Sequence, residues 1–162
     1  MKAIVLTLLL WVTLSSNGQT PTSIKEFEIT VSSFNFPMKP FGKVVLKKNE
    51  LTVLKETRLE KDKDTILFTI DLKPTDTLKI ISEINLDSLK NYYSNNCIDD
   101  GSQISVVLKK DNIIKSVMLD NYYQDEIGTI IYFMNSIVPK KYQIWYDKKQ
   151  LITDYKNCKS NN

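Results

Sequence analysis

Hydrophobic and polar residues alternate along much of the first half of the chain. Phe27, Ile29 and Val31 alternate with polar neighbours, which is the two-residue period of a strand with one buried face. The phase changes at Phe34, and we expect a β-bulge near Ser32-Ser33 to account for the change. The same pattern predicts further strands over residues 44–46, 51–54, 66–72 and 78–81.

Two stretches in the second half of the chain have the spacing of a helix. The first is predicted to begin at Asn85, a favourable N-cap, with Leu86, Leu89 and Tyr93 on its buried side and an end near residue 95. The second begins after Asp120-Asn121, has apolar residues at every third or fourth position, and ends at the proline at position 139. A hairpin of two strands, 104–108 and 113–119, separates the predicted helices.

The last predicted strand lies near the C-terminal end of the chain, where Tyr142, Ile144 and Tyr146 alternate with outward positions. Residues 150–155 fit either a strand or a helix. Because strands joined by hairpins dominate and no regular βαβ alternation occurs, the pattern predicts an α+β domain. We expect an antiparallel sheet of about six to eight strands, in the order β-β-β-β-β-α-β-β-α-β, with two helices packed on one face.

The first residues of the chain have the order of a cleavable secretory signal peptide. Lys2 supplies a positive charge, residues 3–14 are apolar apart from two threonines, and small or polar residues follow as far as Gly18. The apolar run is shorter than the roughly 18 to 20 residues of a transmembrane helix. We therefore predict that residues 1–18 are removed and that residues 19–162 form one domain, without a transmembrane anchor, in the periplasm or the extracellular space.

The amino-acid composition limits the classes of molecule that we expect the protein to bind. Hydrophobic residues make up 42% and charged residues 25% of the chain, as in an ordinary globular domain. The formal charge of +3 is spread along the chain, and Arg58 is the only arginine, whereas nucleic-acid readers cluster basic residues and use arginine for bidentate contacts. We expect no nucleic-acid partner. Lys47-Lys48 and Lys109-Lys110 are interpreted as solvated hairpin turns, with a polyanion-binding patch as the alternative.

The two cysteines, Cys97 and Cys158, allow one intramolecular pairing. Since an exported protein meets an oxidising environment, we expect a disulfide that ties the C-terminal end of the chain to the domain. Two free thiols, one buried and one on a frayed tail, are the alternative interpretation.

The chain contains no histidine, which excludes Ser-His-Asp and Cys-His catalysis and imidazole ligation of zinc. Carboxylate chemistry, a Ser-Lys arrangement or a metal held by oxygen ligands would still be possible. Asp99 and Asp100, with Asp120 or Asp125, are candidates for an acid–base pair or a Ca²⁺ site. Because Asp and Gly also dominate ordinary turns, we favour the structural interpretation and expect neither a resident metal nor a cofactor.

Aromatic residues of the second half are the candidates for a binding surface, because tyrosine and tryptophan offer a large apolar area with one polar group. A position in the core or at its boundary is the alternative for each of them. Trp145 is the one that we expect to be exposed, because its parity opposes that of Ile144 and Tyr146. The candidates are Tyr92, Tyr122, Tyr123 and Trp145.

These observations lead to two main hypotheses about function, and a structural or assembly role in the cell envelope is a third that the sequence does not separate from the first. The first is a non-enzymatic exported domain that binds a protein or a component of the cell envelope, such as a glycan. The second is a carboxylate-dependent hydrolase or Ca²⁺-binding domain centred on Asp99 and Asp100. The abundance of Lys, Asn and Ile is typical of small exported proteins from AT-rich bacterial genomes.

Overall fold

The computed structural model describes residues 24–35, 42–55, 64–98 and 101–160. Over these ranges the chain forms seven strands, three α-helices and two short 3-10 helices. The strands are β1 (Phe27–Asn35), β2 (Gly42–Lys47), β3 (Glu50–Lys55), β4 (Thr65–Asp71), β5 (Tyr92–Ser94), β6 (Ser102–Lys110) and β7 (Ile113–Asp120). The α-helices are α1 (Asp76–Glu83), α2 (Asp125–Ile137) and α3 (Lys148–Ser160), and the 3-10 helices are Leu86–Ser88 and Lys140–Tyr142.

The seven strands form one sheet in the order β4-β3-β2-β1-β6-β7-β5. All neighbours are antiparallel except β5, which pairs in parallel with β7. The connection from β4 to β5, which includes α1, therefore joins the two opposite edges of the sheet. This architecture confirms the predicted α+β class, with a mixed sheet and a third helix, α3, in addition.

One face of the sheet carries the core. In β1, Phe27, Ile29 and Val31 are buried, and the strand register places Ile29 opposite Leu46 of β2 and Leu108 of β6. The helices contribute their apolar sides to the same cluster. The main helical contributors are Leu78 and Ile81 of α1, Ile127, Ile130, Ile131 and Met134 of α2, and Leu151 of α3.

The bulge that we predicted near Ser32-Ser33 is wrong. Strand β1 pairs with β6 residue by residue along its whole length, and Phe34, which is 37% exposed, lies on the face opposite the core. The change of phase therefore marks an aromatic side chain on the outer face. A bulge occurs in β4 instead, where Leu67 is the extra residue between two positions that pair with β3.

Two elements between β4 and β6 differ from their predictions. The strand predicted over 78–81 is part of α1, and Thr75 caps this helix by accepting a hydrogen bond from the Leu78 N–H at 3.2 Å. A short apolar run does not distinguish a strand from a helix turn, which explains the error.

The helix predicted from Asn85 is also wrong in its extent. Asn85 caps as expected, because its Oδ1 accepts the Asp87 N–H at 3.0 Å, but the helix is a single 3-10 turn. The chain then forms β5, because its backbone pairs with β7 at the edge of the sheet.

The remaining predictions for the chain have mixed outcomes. The second predicted helix is α2, and residues 150–155 are part of α3. The predicted signal peptide and residues 19–23 lie outside the described residues. None of the helices in the described ranges is long and apolar enough to span a membrane.

Candidate functional site

An extended segment, residues 143–147, links the second 3-10 helix to α3. The strand that we predicted here is wrong, because within the described residues the segment belongs to no sheet. Its backbone pairs with a side chain of α2 instead: Asn135 Nδ2 donates to the Ile144 carbonyl at 2.7 Å, and the Ile144 N–H donates to Asn135 Oδ1 at 2.8 Å. Alternate burial needs only an extended backbone, so the sequence pattern did not reveal this pairing partner.

The segment holds Trp145 at the surface. Ile144 and Tyr146 point into the core and are 7% and 4% exposed, whereas Trp145 is 46% exposed. The predicted exposure of Trp145 is therefore confirmed. Because both of its neighbours are buried and the backbone is held by α2, the position of Trp145 is determined by packing on either side.

Trp145 borders two concavities. The first, which we call the apolar groove, has a volume of about 250 Å³, and its lining includes Val44, Val53, Leu67, Tyr142 and Trp145. The second, which we call the basic depression, has a volume of about 600 Å³, and its lining includes Tyr132, Lys140, Trp145, Lys148 and Lys149.

The apolar groove is made of residues that are far apart in the sequence. Val44 and Val53 lie opposite each other on β2 and β3 and are buried. Leu67 is the bulged residue of β4 and is 40% exposed. Bulges commonly redirect a side chain next to a functional site, and here the bulge brings Leu67 to the groove.

Four lysines flank Trp145, at positions 140, 141, 148 and 149. Lys148 Nζ lies 2.9 Å from Asp125 Oδ1 and 4.9 Å from the ring centre of Tyr123. The hydrogen bond to Asp125 raises the pKa of Lys148 above its ordinary value. In the described part of the chain, no carboxylate lies within ion-pair distance of the other three lysines.

Asp147 is the acidic residue of this segment, and its carboxylate is engaged locally. Asp147 Oδ1 accepts the backbone N–H of Gln150 at 2.8 Å, and its carbonyl accepts the N–H of Leu151 at 3.0 Å. Asp147 thus acts at the start of α3, where the helix dipole favours a negative charge. Asp147 is the carboxylate among the lining residues of the basic depression, and within the described residues it forms no ion pair with the lysines around Trp145.

The lysine pairs that we predicted in hairpin turns have a different environment. Lys47 ends β2 and is followed in the turn by Lys48, whereas Lys109 and Lys110 are the last residues of β6. Glu28 accepts a hydrogen bond from Lys109 at 2.8 Å and lies 3.8 Å from Lys47, while Lys48 pairs with Glu26 at 2.9 Å. The hydrogen bond from Lys109 lowers the pKa of Glu28. These lysines are partly neutralised across the outer face of the sheet, which favours the structural interpretation over a polyanion-binding patch.

The other predicted binding residues are not among the lining residues of the two concavities. Tyr122 lies between the rings of Tyr93 and Tyr155, with ring centres at 5.4 and 5.1 Å. Tyr123 stacks on Tyr146 at 5.1 Å. These ring contacts agree with a position at the core boundary, and a role of Tyr122 or Tyr123 in binding stays a prediction.

Tyr92 is 54% exposed on β5, and its hydroxyl donates to Asp120 Oδ2 at 3.2 Å. Asp120 Oδ1 also accepts a hydrogen bond from Asn121 at 3.1 Å. Asp99 and Asp100 lie outside the described residues, so the hypothesis of a carboxylate site stays a prediction from the sequence. No three Asp, Glu or Cys side chains come together as a metal site in the ranges that the structure describes.

Cys97 and Cys158 are placed at disulfide distance, with their Cα atoms 5.6 Å apart, as expected from the sequence. The pair connects the segment after β5 to the last turns of α3. Tyr155, three residues before Cys158 in the same helix, packs on Tyr122.

Several residues of the site were missed by the sequence analysis. The lysine pairs 140–141 and 148–149 flank Trp145 on both sides, which is a local signal that could have been recognised. Tyr132 and Leu67 carry no such signal, because α2 and β4 meet the segment only in the folded chain.

The fold and this surface together define a small α+β domain with an exposed tryptophan between an apolar groove and a basic depression. Comparison with models of protein families, with curated proteins and with solved structures gives no match to this chain.

Proposed function

We propose that the chain is a non-enzymatic binding domain of the periplasm or extracellular space and that Trp145 is the centre of its binding surface. The observation that carries the proposal is the exposure of a tryptophan whose two neighbours are buried, on the border of two concavities. Tryptophan is enriched among the residues that dominate binding energy at interfaces. The export part rests on the sequence of residues 1–18, and the paired cysteines are compatible with it.

The proposed binding surface is also preorganised, because contacts within the protein already hold it in place. Asn135 holds the backbone next to Trp145 through two hydrogen bonds, and Tyr146 anchors the other side in the core. A rigid aromatic side chain loses little conformational entropy on binding, so more of the contact energy contributes to affinity.

A comparative capture experiment tests the proposal. Tagged wild-type protein is incubated with periplasmic and secreted fractions of its host, in parallel with Trp145→Ala and Tyr92→Ala. The two substituted side chains have similar exposure, 46% and 54%, but Tyr92 lies outside both concavities. The proposal expects a partner that wild type and Tyr92→Ala retain and Trp145→Ala loses.

Two outcomes count against the proposal. One is the absence of a specific partner from both fractions. The other is equal recovery by wild type and Trp145→Ala, which would place binding elsewhere on the molecule.

A further inference from the structure

The apolar groove limits the size of the apolar group that it can accept. Its volume of about 250 Å³ is below the roughly 300 to 1,000 Å³ of pockets that enclose a whole small-molecule ligand. Its lining includes the buried side chains of Val44 and Val53, with Leu67 and Trp145 closer to the surface. This space suits one large apolar side chain that anchors a longer ligand.

The charges around the groove define the rest of the ligand. Lys141 borders the apolar groove and Lys140 and Lys149 border the basic depression, and none of the three has a carboxylate partner within the described residues. Lys141 Nζ lies 4.7 Å over the ring of Tyr142, which keeps a cation beside the apolar lining. A ligand with carboxylates on either side of its apolar anchor is complementary to this arrangement.

We propose that the ligand is an acidic, extended polypeptide segment that places one large apolar side chain in the apolar groove and its carboxylates beside Lys140, Lys141 and Lys149. This inference rests on the function proposed above, because it names the ligand class of the same surface. Trp145 borders both concavities, so one continuous chain that crosses it contacts both. Side chains two positions apart in an extended peptide point to the same side, so carboxylates two positions before and after the anchor face the protein together with it.

An anionic membrane is the competing ligand class, and the geometry favours the peptide. Membrane-binding surfaces insert a broad apolar face among lipid chains, with a rim of basic residues. Here the apolar area is concave, and Val44 and Val53 at its base are only 2% and 3% exposed. A bilayer cannot reach such a recess, whereas a single side chain can.

Fluorescence of Trp145 provides a direct measurement. The chain has two tryptophans, and Trp11 lies in the predicted signal peptide, so the exported protein without residues 1–18 carries Trp145 alone. This processed form is used with lipid vesicles, and Trp11→Phe isolates Trp145 wherever the leader is retained. The probe is a capped synthetic peptide with one phenylalanine between two pairs of glutamates. Two further peptides replace the phenylalanine by alanine or all the glutamates by glutamine, and vesicles of phosphatidylglycerol are tested separately.

The proposal expects a saturable change in Trp145 emission with the acidic phenylalanine peptide and weaker binding of both other peptides. Added salt should weaken the binding, because exposed charges are screened. The double variant Lys140→Gln/Lys149→Gln should lower the affinity by roughly 2- to 30-fold, given the range measured for exposed ion pairs. Lys73→Gln/Lys79→Gln, which changes two exposed lysines outside both concavities, should leave it unchanged.

The proposal is overturned if the glutamine peptide binds as tightly as the acidic one, or if the lysine substitutions have no effect. Binding of the vesicles without binding of the acidic peptide overturns it in favour of a membrane. In each of these cases, capture that depends on Trp145 would show that the binding function stands and that only the ligand class is wrong. If capture is also independent of Trp145, the proposed function fails as well.

Discussion

The side-chain amide of Asn135 hydrogen-bonds to the backbone of Ile144 in both directions, at 2.7 and 2.8 Å. A single side chain of α2 thus replaces a neighbouring strand and holds the segment that carries Trp145. The amide of Gln143 adds a third contact, since it donates to the Asn135 carbonyl at 2.8 Å. The geometry of the proposed binding surface therefore depends on this residue.

Replacement of Asn135 by alanine should loosen the segment. We expect Asn135→Ala to lower the free energy of unfolding by about 1 to 3 kcal/mol, because the Ile144 N–H and carbonyl lose their partner. Quenching of Trp145 fluorescence by acrylamide should increase in the Trp11→Phe background. Asn157→Ala on the exposed side of α3 is the control and should change neither quantity measurably. Unchanged quenching in Asn135→Ala would show that Asn135 does not hold Trp145 in place.

Tyr146 should make stability decrease at alkaline pH. Burial raises the pKa of its hydroxyl, which accepts the Gln124 N–H at 2.8 Å. The folded protein therefore keeps a proton that the unfolded chain releases near pH 10. The stabilisation that Tyr146 contributes is complete below about pH 10, and it is lost as the pH rises towards the pKa of Tyr146 in the folded protein. Urea midpoints measured from about pH 9 to 11 should fall less steeply for Tyr146→Phe than for wild type.

The control for this pH dependence is Ile114→Ala, which removes an exposed side chain that does not titrate. It should keep the wild-type slope. The urea midpoint of Tyr146→Phe should still decrease somewhat with rising pH, because burial raises the pKa of Tyr123 as well. Identical slopes for wild type and Tyr146→Phe would contradict the role assigned to Tyr146.

Gly128→Ala should destabilise the protein although alanine favours helices. A Cβ at Gly128 of α2 would overlap the hydroxyl of Tyr123 and lie 2.6 Å from its Cζ. Movement of the Tyr123 ring is restrained, because the ring stacks on Tyr146 at 5.1 Å and lies 4.9 Å from Lys148 Nζ. Overpacking of this kind typically costs about 1 to 3 kcal/mol, which exceeds the gain of about 1 kcal/mol in helix propensity.

The measurement is the free energy of unfolding in urea. Gly42→Ala is the matched control, since its Cβ would meet the nearest atom, a carbonyl oxygen, at 3.7 Å. Combination of Gly128→Ala with Tyr123→Leu should cost less than the sum of the two single changes. A stabilised Gly128→Ala variant would show that the ring moves aside freely.

A comparison of alanine variants at Asn121 and Asp111 distinguishes the cost of losing a buried hydrogen bond from the cost of backbone strain. Both residues have a positive φ, 49° and 53°, but only Asn121 is buried, where its Oδ1 accepts the Ser102 N–H at 2.8 Å. Alanine at either position loses the tolerance of Asn and Asp for this conformation. Asn121→Ala should cost about 1 to 3 kcal/mol more than Asp111→Ala in urea unfolding, because it also leaves the buried N–H unpaired. Equal losses of unfolding free energy in the two variants would show that backbone strain alone accounts for the destabilisation.

Removal of the disulfide should cost the most stability among these changes. Cys97 and Cys158 are separated by 61 positions, and the chain-entropy model assigns about 4 kcal/mol to closing a loop of this length. Cys97→Ala/Cys158→Ala should therefore unfold at a clearly lower urea concentration than the wild type without reductant. Reduction should bring the wild type close to the variant and leave the variant itself unaffected. Intact mass that shows alkylation of both cysteines without reductant would contradict the pairing.

Much of the fold could be predicted because it depends on neighbours in the sequence. The alternation from Phe27 to Val31 places these side chains on one face of any strand, and the spacing of Ile127, Ile130 and Met134 places theirs on one side of any helix. The exposure of Trp145 followed from the same rule of parity, even though its segment is not a strand.

Other features could not be predicted because they depend on which segments meet. The chain after Asn85 forms β5 since β7 offers a free edge, and the residues over 78–81 form part of a helix whose Leu78 and Ile81 join the core cluster. The apolar groove needs β2, β3, a bulge in β4 and the segment at Trp145 together.

The sequence by itself determined the α+β class, the positions of most strands and the exposure of Trp145, and it allowed only one intramolecular pairing of the two cysteines. Only the tertiary structure decided the order of the strands, the role of Asn135 and the groove beside Trp145. The physical reason is the range of the interactions: periodicity and capping act within a few residues, whereas strand partners and concavities depend on contacts between residues distant in the chain.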